Sequence, residues 1–277
     1  MKLYKTNQGI ILEKDNNCYA VEGDWDSVIN DENVFGKLED IASKSNPLIN
    51  GQKVVASGLL APVGSQELWA SGVTYFRSKQ GRQEESENAG GGDFYGRVYE
   101  AERPELFFKA TANRIVGPGG KVRIRSDSSW DVPEPELTLA INADGKIIGY
   151  TIGNDMSSRS IEGENPLYLP QAKTYDGCAA LGPCIYLAKD PLPGTTQIDL
   201  EIRRGGSVVF KDDVKISQIK RGFEELVSFL YRECTFPNGA FLMTGTGIVP
   251  GRDFTLQSGD EISIAIDHIG ILTNEVE

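Results

Sequence analysis

The sequence predicts a mostly β, α+β chain: a sandwich- or roll-like β domain over residues 66–277, preceded by a small α/β module over residues 1–65. Two observations carry this expectation. From Leu68 onward, short apolar runs alternate with Gly, Pro and Asn/Asp-Gly turn signals, and a single helical stripe interrupts the series. Before that point, strand-like pieces mix with a helical period.

In chain order, Gly9–Leu12 and Cys18–Val21 read as strands and Val34–Ser43 as a helix. The run Lys79-Gln80-Gly81-Arg82-Gln83-Glu84-Glu85-Ser86-Glu87-Asn88-Ala89-Gly90-Gly91-Gly92, inside a polar segment from Arg77 to Gly96, has no apolar stripe and reads either as a mobile lid or as an inert surface loop. Strands are then expected at 105–110, 121–124, 137–141, 147–152, 185–187, 197–203, 208–211 and 261–266. The one clear helix spans 221–232, with Phe223, Leu226, Val227 and Leu230 on one face, most simply a core face. No internal repeat is present.

The most informative feature is the segment Pro133-Glu134-Pro135-Glu136-Leu137 read with Asp155. Between them lie two apolar runs around Asn142-Ala143-Asp144-Gly145, the pattern of a β-hairpin. If Asp144-Gly145 form a two-residue type I′ turn, Ala143 faces Lys146, and counting back sets Glu134 opposite Asp155. Glu136 then points to the same face. Like charges paired across strands destabilise a sheet, and burying them unpaired costs more. A divalent cation removes the objection. An all-oxygen ligand set favours Mg²⁺ first, with Mn²⁺ or Ca²⁺ possible, and disfavours zinc. The competing reading is a solvated acidic edge, because Glu85/Glu87, Glu162/Glu164 and Glu275/Glu277 repeat the Glu-x-Glu spacing.

Composition narrows the function classes. The net charge of −12, from 28 Lys+Arg against 40 Asp+Glu, argues against a nucleic-acid surface. No apolar stretch approaches a membrane span, and Met1-Lys2-Leu3-Tyr4-Lys5 lacks a signal-peptide core, so a cytoplasmic enzyme is expected. Cys18, Cys178, Cys184 and Cys234 have no metal-type spacing and read as reduced, mostly buried thiols. The lone His268 lies in a turn-like stretch without a visible partner. Chemistry here must therefore run on carboxylates, Lys, Tyr, Thr, water and metal.

Several motifs then coincide in order: Ser71-Gly72-Val73-Thr74-Tyr75, Pro104–Thr111, the Pro-Glu-Pro-Glu-Leu segment, Gly149–Arg159, Lys173, Gly182-Pro183 and Thr244-Gly245-Thr246. From Glu67 to the C-terminus the chain resembles the fumarylacetoacetate hydrolase superfamily, whose metal would be held here by Glu134, Glu136 and Asp155. Residues 99–105, 122–128, 163–171 and 245–253 further resemble the branch that dehydrates 2-keto-3-deoxy-D-arabinonate to 2,5-dioxopentanoate. The resemblance implies a fumarylacetoacetate hydrolase-like β-sandwich or roll as catalytic domain, a Mg²⁺-dependent hydro-lyase of pentose catabolism acting on a small 2-keto sugar acid, and a homodimer or homotetramer. Family members that hydrolyse carbon–carbon bonds resemble one another in a His after the Gly-x-x-Tyr element. Here Tyr75 is followed by Phe76-Arg77-Ser78-Lys79, so an acylpyruvate-type hydrolase is disfavoured.

By that resemblance Lys173 is the active-site lysine, either removing the C3 proton or binding the substrate carboxylate. Glu105, between apolar neighbours, is a candidate acid for the leaving C4 hydroxyl, or alternatively a metal-sphere acid or a salt-bridge partner of Lys109. Tyr75, Arg77, Ser78, Phe108 and Thr246 are the candidate substrate-binding residues, with Asn165 and Gln171 as possible readers of sugar hydroxyls. The expected route passes through a metal-stabilised enolate. Rival readings are a decarboxylase of a 2-keto acid such as oxaloacetate and a catalytically silent metal-binding relative.

Overall fold

Two sheets organise the computed structural model, which describes residues 1–85 and 92–277, the side chains of 84–94 excepted. The first strands, β1 (Lys2–Thr6), β2 (Gly9–Lys14) and β3 (Asn17–Val21), form an antiparallel meander. Helices α1 (Trp25–Ile29), α2 (Val34–Lys44) and α3 (Gly51–Gly58) follow, the first two begun by the side chains of Asp24 and Asn33, which accept from amides of the opening turn. Strand β4 (Glu67–Gly72) then leads into α4 (Phe76–Glu85), α5 (Gly92–Glu100) and β5 (Glu105–Ala110). Two short strands, β6 (Ile115–Val116) and β7 (Lys121–Val122), precede the long hairpin β8 (Asp131–Ile141) and β9 (Ile147–Ser158). Helices α6 (Arg159–Glu164) and α7 (Leu169–Lys173), strands β10 (Ala179–Tyr186), β11 (Gln197–Arg204) and β12 (Ser207–Lys215), helix α8 (Phe223–Leu230), and strands β13 (Ala240–Met243), β14 (Glu261–Ile266) and β15 (Gly270–Val276) complete the chain.

The large sheet runs β3-β2-β1-β10-β9-β8-β13-β4-β5, with β6 on β10; the smaller one runs β12-β11-β14-β15-β7. The strands of the opening module therefore extend the large sheet, since Lys2 and Leu3 of β1 pair with Tyr186 and Ile185 of β10. One core joins the two sheets: Leu137, Leu139, Ile141 and Ile152 pack with Ile198, Leu200, Ile262, Ile264 and Leu272. A second core covers the opposite face of the large sheet, where Leu3, Leu12, Trp25, Ile29 and Leu38 meet Ala140, Leu181, Ile185 and Phe241. With layers on both sides, all of β8 is buried, including Glu134, Glu136 and Thr138, which alternate along one of its faces.

The hairpin register is the expected one, reached by a different route. Glu134 pairs with Asp155 and Glu136 with Gly153. The turn is not the two-residue type I′ form, however. Asn142 donates its amide to Lys146 O and accepts from Gly145, so three residues make the loop, and Gly145 takes the left-handed conformation at φ 75°. The Asn142 side chain enforces this by accepting from the amides of Asp144 and Lys146. A bulge then absorbs one residue, as Ile141 pairs with Ile147 but Ala140 with Gly149, and restores the register before the acidic residues are reached.

The stretch expected to be a mobile loop is different as well. Phe76–Glu85 and Gly92–Glu100 are helices, while residues 86–91, with Glu87, lie outside the described part. No apolar stripe announces α4. Tertiary contacts hold it instead: Arg82 reaches Glu162 and the Tyr95 ring, and Lys79 lies over the rings of Phe76 and Tyr99. Arg221 pairs with Glu225 and donates to the carbonyls of Val98, Ala101 and Glu102 at the end of α5. The helix expected at 221–232 is shorter, Phe223–Leu230, with Leu226, Val227 and Leu230 buried as its stripe requires.

Candidate active site

Residues Glu134, Glu136 and Asp155 bring one carboxylate oxygen each to within 4.8 Å of one another, all three buried. Strand alternation places them: Glu134 and Glu136 share a face of β8, and the register sets Asp155 beside Glu134 on that face. Glu136 also accepts the Gly245 amide at 2.5 Å. Burial raises the pKa of Glu134 and Glu136, and the neighbouring carboxylates raise them further, Glu136 well above the ordinary range. Such a group is costly as three bare anions, and hard oxygen donors at this spacing suit a divalent cation of the Mg²⁺ kind.

Lys173, at the end of α7, is fully buried. Its Nζ lies 2.7 Å from Glu134, 3.1 Å from Asp155, 2.6 Å from Ser157 Oγ and 3.2 Å from Glu162. Burial lowers its pKa, but Asp155, Glu134 and Glu162 outweigh that effect and hold it above the ordinary lysine value. Around this centre stands a second ring of charge. Arg159 pairs with Glu134, Arg82 with Glu162 at 2.9 Å, and Lys109 with Asp155 at 2.5 Å. The Glu162 carboxyl is pulled down to about 2: burial raises it, and Arg82, Lys173 and Arg159 more than reverse this. Four buried carboxylates (Glu134, Glu136, Asp155, Glu162) thus face four buried cations (Lys109, Lys173, Arg82, Arg159). A bound dication would leave an excess of positive charge, which an anionic ligand balances.

The narrow cleft beside the acids is lined by Ser71, Gly72, Val73, Ser78, Arg82, Phe107, Glu134, Glu136, Arg159, Lys173, Gly245 and Thr246. Val73 adopts φ 53°, an unusual conformation for a β-branched residue, at the point where β4 turns into α4. Glu105 lies against this cleft. It pairs with Gly72, a Cβ on Gly72 would fall 2.0 Å from its Oε2, and that oxygen is buried without a hydrogen-bond partner.

Of the remaining expected residues, Ser78 and Thr246 line the cleft, each with its hydroxyl also engaged locally, Ser78 with Tyr75 and Thr246 with Ile248. Phe108 does not. Alternation along β5 turns it to the other face, edge-on to Trp69 at 5.8 Å, and brings Phe107 to the site, 5.7 Å beneath Lys173. Tyr75 is buried in the core between the sheets, its hydroxyl raised in pKa by burial and by Glu136, and Arg77 is half-buried outside the lining. Asn165 caps a short helical turn and Gln171 is exposed; neither lines the cleft. The ion pair weighed between Glu105 and Lys109 is replaced by that of Lys109 with Asp155. His268 is exposed, at φ 69°, and stacks on Tyr186, while Cys18, Cys178 and Cys184 are buried thiols. Burial pushes Cys184 up to about 12, far from a reactive thiolate.

Sequence reasoning missed Arg82, Phe107, Lys109, Ser157, Arg159 and Glu162 as site residues. Alternation from Glu105 would have given Phe107 and Lys109. Glu162 and Arg82 come from helices with no periodic signal, so nothing in the spacing points to them.

The profile of the fumarylacetoacetate hydrolase C-terminal region matches residues 76–277, and the chain belongs to this family. Among its relatives is a probable 2-keto-3-deoxyxylonate dehydratase of Haloferax volcanii, 50% identical over 216 residues, which are 78% of this chain and 73% of that protein. A 2-dehydro-3-deoxy-D-arabinonate dehydratase of Saccharolobus solfataricus is 44% identical over 218 residues, with the same two shares. A solved structure of 2-keto-3-deoxy-D-arabinonate dehydratase complexed with magnesium and 2,5-dioxopentanoate superposes with a TM-score of 0.85 at 36% identity, covering 100% of this chain and 99% of that one.

Proposed function

We propose that this chain is a Mg²⁺-dependent hydro-lyase that removes water from a 2-keto-3-deoxy pentonate to give 2,5-dioxopentanoate. The observation that carries the reading is the buried trio Glu134, Glu136 and Asp155, with Lys173 Nζ within 3.1 Å of two of them, in a chain of this family. The two dehydratase relatives carry different sugar names, yet their chemistry converges. A ketone at C2 and a methylene at C3 erase the two centres by which arabinonate and xylonate differ, so for one hand at C4 both names describe one compound.

Glu134, Glu136 and Asp155 would hold the cation, which when bound supplies positive charge beside the keto oxygen, where negative charge grows as C3 loses its proton. The chain's own groups do the rest. Lys173 stands at the acids as a charged donor and serves as the C3 base once those carboxylates are neutralised. Glu105, with its unpartnered oxygen beside Gly72, delivers a proton to the departing C4 hydroxyl. Loss of a C5 proton and tautomerisation then convert the enone to the aldehyde, and no redox step is needed. Ser78, Thr246 and Arg82 line the path of the substrate carboxylate and hydroxyls, while Tyr75, Arg77 and Phe108 stand outside that lining. In the same reading, α4, held by the Arg82–Glu162 ion pair, walls the cleft and keeps water out.

The test is incubation of the protein and Mg²⁺ with a panel of 2-keto-3-deoxy sugar acids while aldehyde is followed, beside an oxaloacetate control. Glu105→Gln should lower aldehyde formation by roughly 10²- to 10⁴-fold if that carboxyl is the acid. Absence of aldehyde from every sugar acid, with rapid loss of oxaloacetate, would replace the dehydratase by a decarboxylase, which needs no leaving-group acid. The reading includes a cytoplasmic homodimer or homotetramer, to be checked by light scattering on the eluting protein. No helix among the described residues is long and apolar enough to cross a membrane.

A further inference from the structure

We infer that Lys109 is a positioning residue that holds the metal-binding carboxylate of Asp155 and the backbone of Lys173 in one fixed arrangement. The inference rests on the metal reading above and adds a residue outside the cleft. Lys109 is fully buried on β5, and its Nζ meets three acceptors: Asp155 Oδ1 at 2.5 Å, the Met156 carbonyl at 2.9 Å and the Lys173 carbonyl. The ammonium donates to the Met156 and Lys173 carbonyls and forms an ion pair with Asp155 Oδ1, so one buried cation ties three points of the chain together. Two of the acceptors belong to the residues that matter most, Asp155 itself and the chain end that carries Lys173, and the third is the peptide following Asp155.

Geometry gives this arrangement its consequence. Asp155 is gripped from two sides, Oδ1 by Lys109 and Oδ2 by Lys173 at 3.1 Å, so its carboxylate plane is set before any cation arrives. The Lys173 carbonyl ends α7 and has no helical partner beyond it; the Lys109 ammonium satisfies it and fixes where that helix stops. Lys109 does not line the cleft and sits 5.8 Å from the Tyr175 ring on its far side, so it acts through Asp155 and Lys173 rather than on substrate. Partners of this kind that orient metal ligands typically control metal affinity about 10- to 100-fold.

The decisive measurement is Mg²⁺ affinity by calorimetry in the absence of substrate, on the wild type, Lys109→Met and Lys109→Arg, with a thermal melt of each. A purely electrostatic role predicts tighter Mg²⁺ binding in K109M, because a like charge beside Asp155 is gone. Positioning predicts the opposite sign: binding weakened at least about tenfold in K109M despite the lost charge, with cooperative melting retained. K109R keeps the charge, but its planar fork cannot reach the same three acceptors, so it too binds Mg²⁺ more weakly. If K109M does not fold, K109R alone decides. Unchanged or tighter binding in a folded variant overturns the inference while leaving the dehydratase reading intact, and a wild type that binds no Mg²⁺ sinks both.

Discussion

Glu136 shows how a residue's environment becomes a measurable function. Burial, then Asp155, then Glu134 raise its pKa well above the ordinary carboxylate value, and Mg²⁺ at this position requires the ionised form. Below the raised pKa the ion must displace a proton; above it, none. Apparent Mg²⁺ affinity should therefore rise with pH from the ordinary carboxylate range through that raised value and level off beyond it. Calorimetry in two buffers of different ionisation enthalpy should detect proton release on the acidic side. Glu136→Gln should reduce the release, leaving the part that Glu134 supplies, and weaken binding by roughly tenfold or more. Affinity independent of pH across the acidic range would show that the site is not preloaded with a proton.

At the scale of elements, the site is an agreement between one hairpin and three helices. Glu162 of α6 lies between Arg82 of α4 and Lys173 of α7, and the three side chains are buried together. Its folded pKa of about 2 lies below the ordinary 4.5, so its ionisation contributes stability that is fully present above pH 4.5 and is lost as pH falls toward 2. Glu162→Gln leaves two cations without their shared partner and should cost about 3 kcal/mol at neutral pH. The deficit relative to wild type should shrink as pH falls from 4.5 through 2, below which the native carboxyl is neutral as well. Urea melts across that range check it, and a deficit of constant size would mean that packing, not charge, is what Glu162 supplies. The same elements explain what the sequence made legible. The hairpin acids could be aligned because alternation and turn chemistry act locally, and even a misjudged turn was corrected by its bulge before Glu134 was reached. Phe107 in place of Phe108 is an error of one step in the same alternation. By contrast, α4 and α6 owe their place to long-range ion pairs, and the opening strands owe theirs to pairing with β10, neither of which leaves a mark in local pattern.

Across the whole molecule, the question is what the opening 65 residues do for a site that contains none of them. Their strands continue the sheet that carries the acids: β1 pairs with β10, β10 with β9, and β9 holds Asp155 opposite Ala179. Their side chains also build the second core, with Leu3, Ile10, Leu12, Trp25, Ile29 and Leu38 all nearly or fully buried. At about 1.5–3 kcal/mol for each buried large apolar side chain, these six contribute on the scale of a typical domain's entire net stability of about 5–15 kcal/mol. We therefore expect that a chain starting at residue 66, although it keeps every proposed catalytic and metal-binding residue, loses cooperative thermal unfolding and with it Mg²⁺ binding. Removing β1 also bares the backbone of β10 at Ile185 and Tyr186, an unpaired edge beside an exposed apolar face, so the truncated protein should associate as it unfolds. Circular dichroism melts and light scattering on the two chains decide the matter. A truncated chain that melts cooperatively near the wild-type temperature and binds Mg²⁺ would show that residues 1–65 fold as an accessory module and that the catalytic sheet is complete without them.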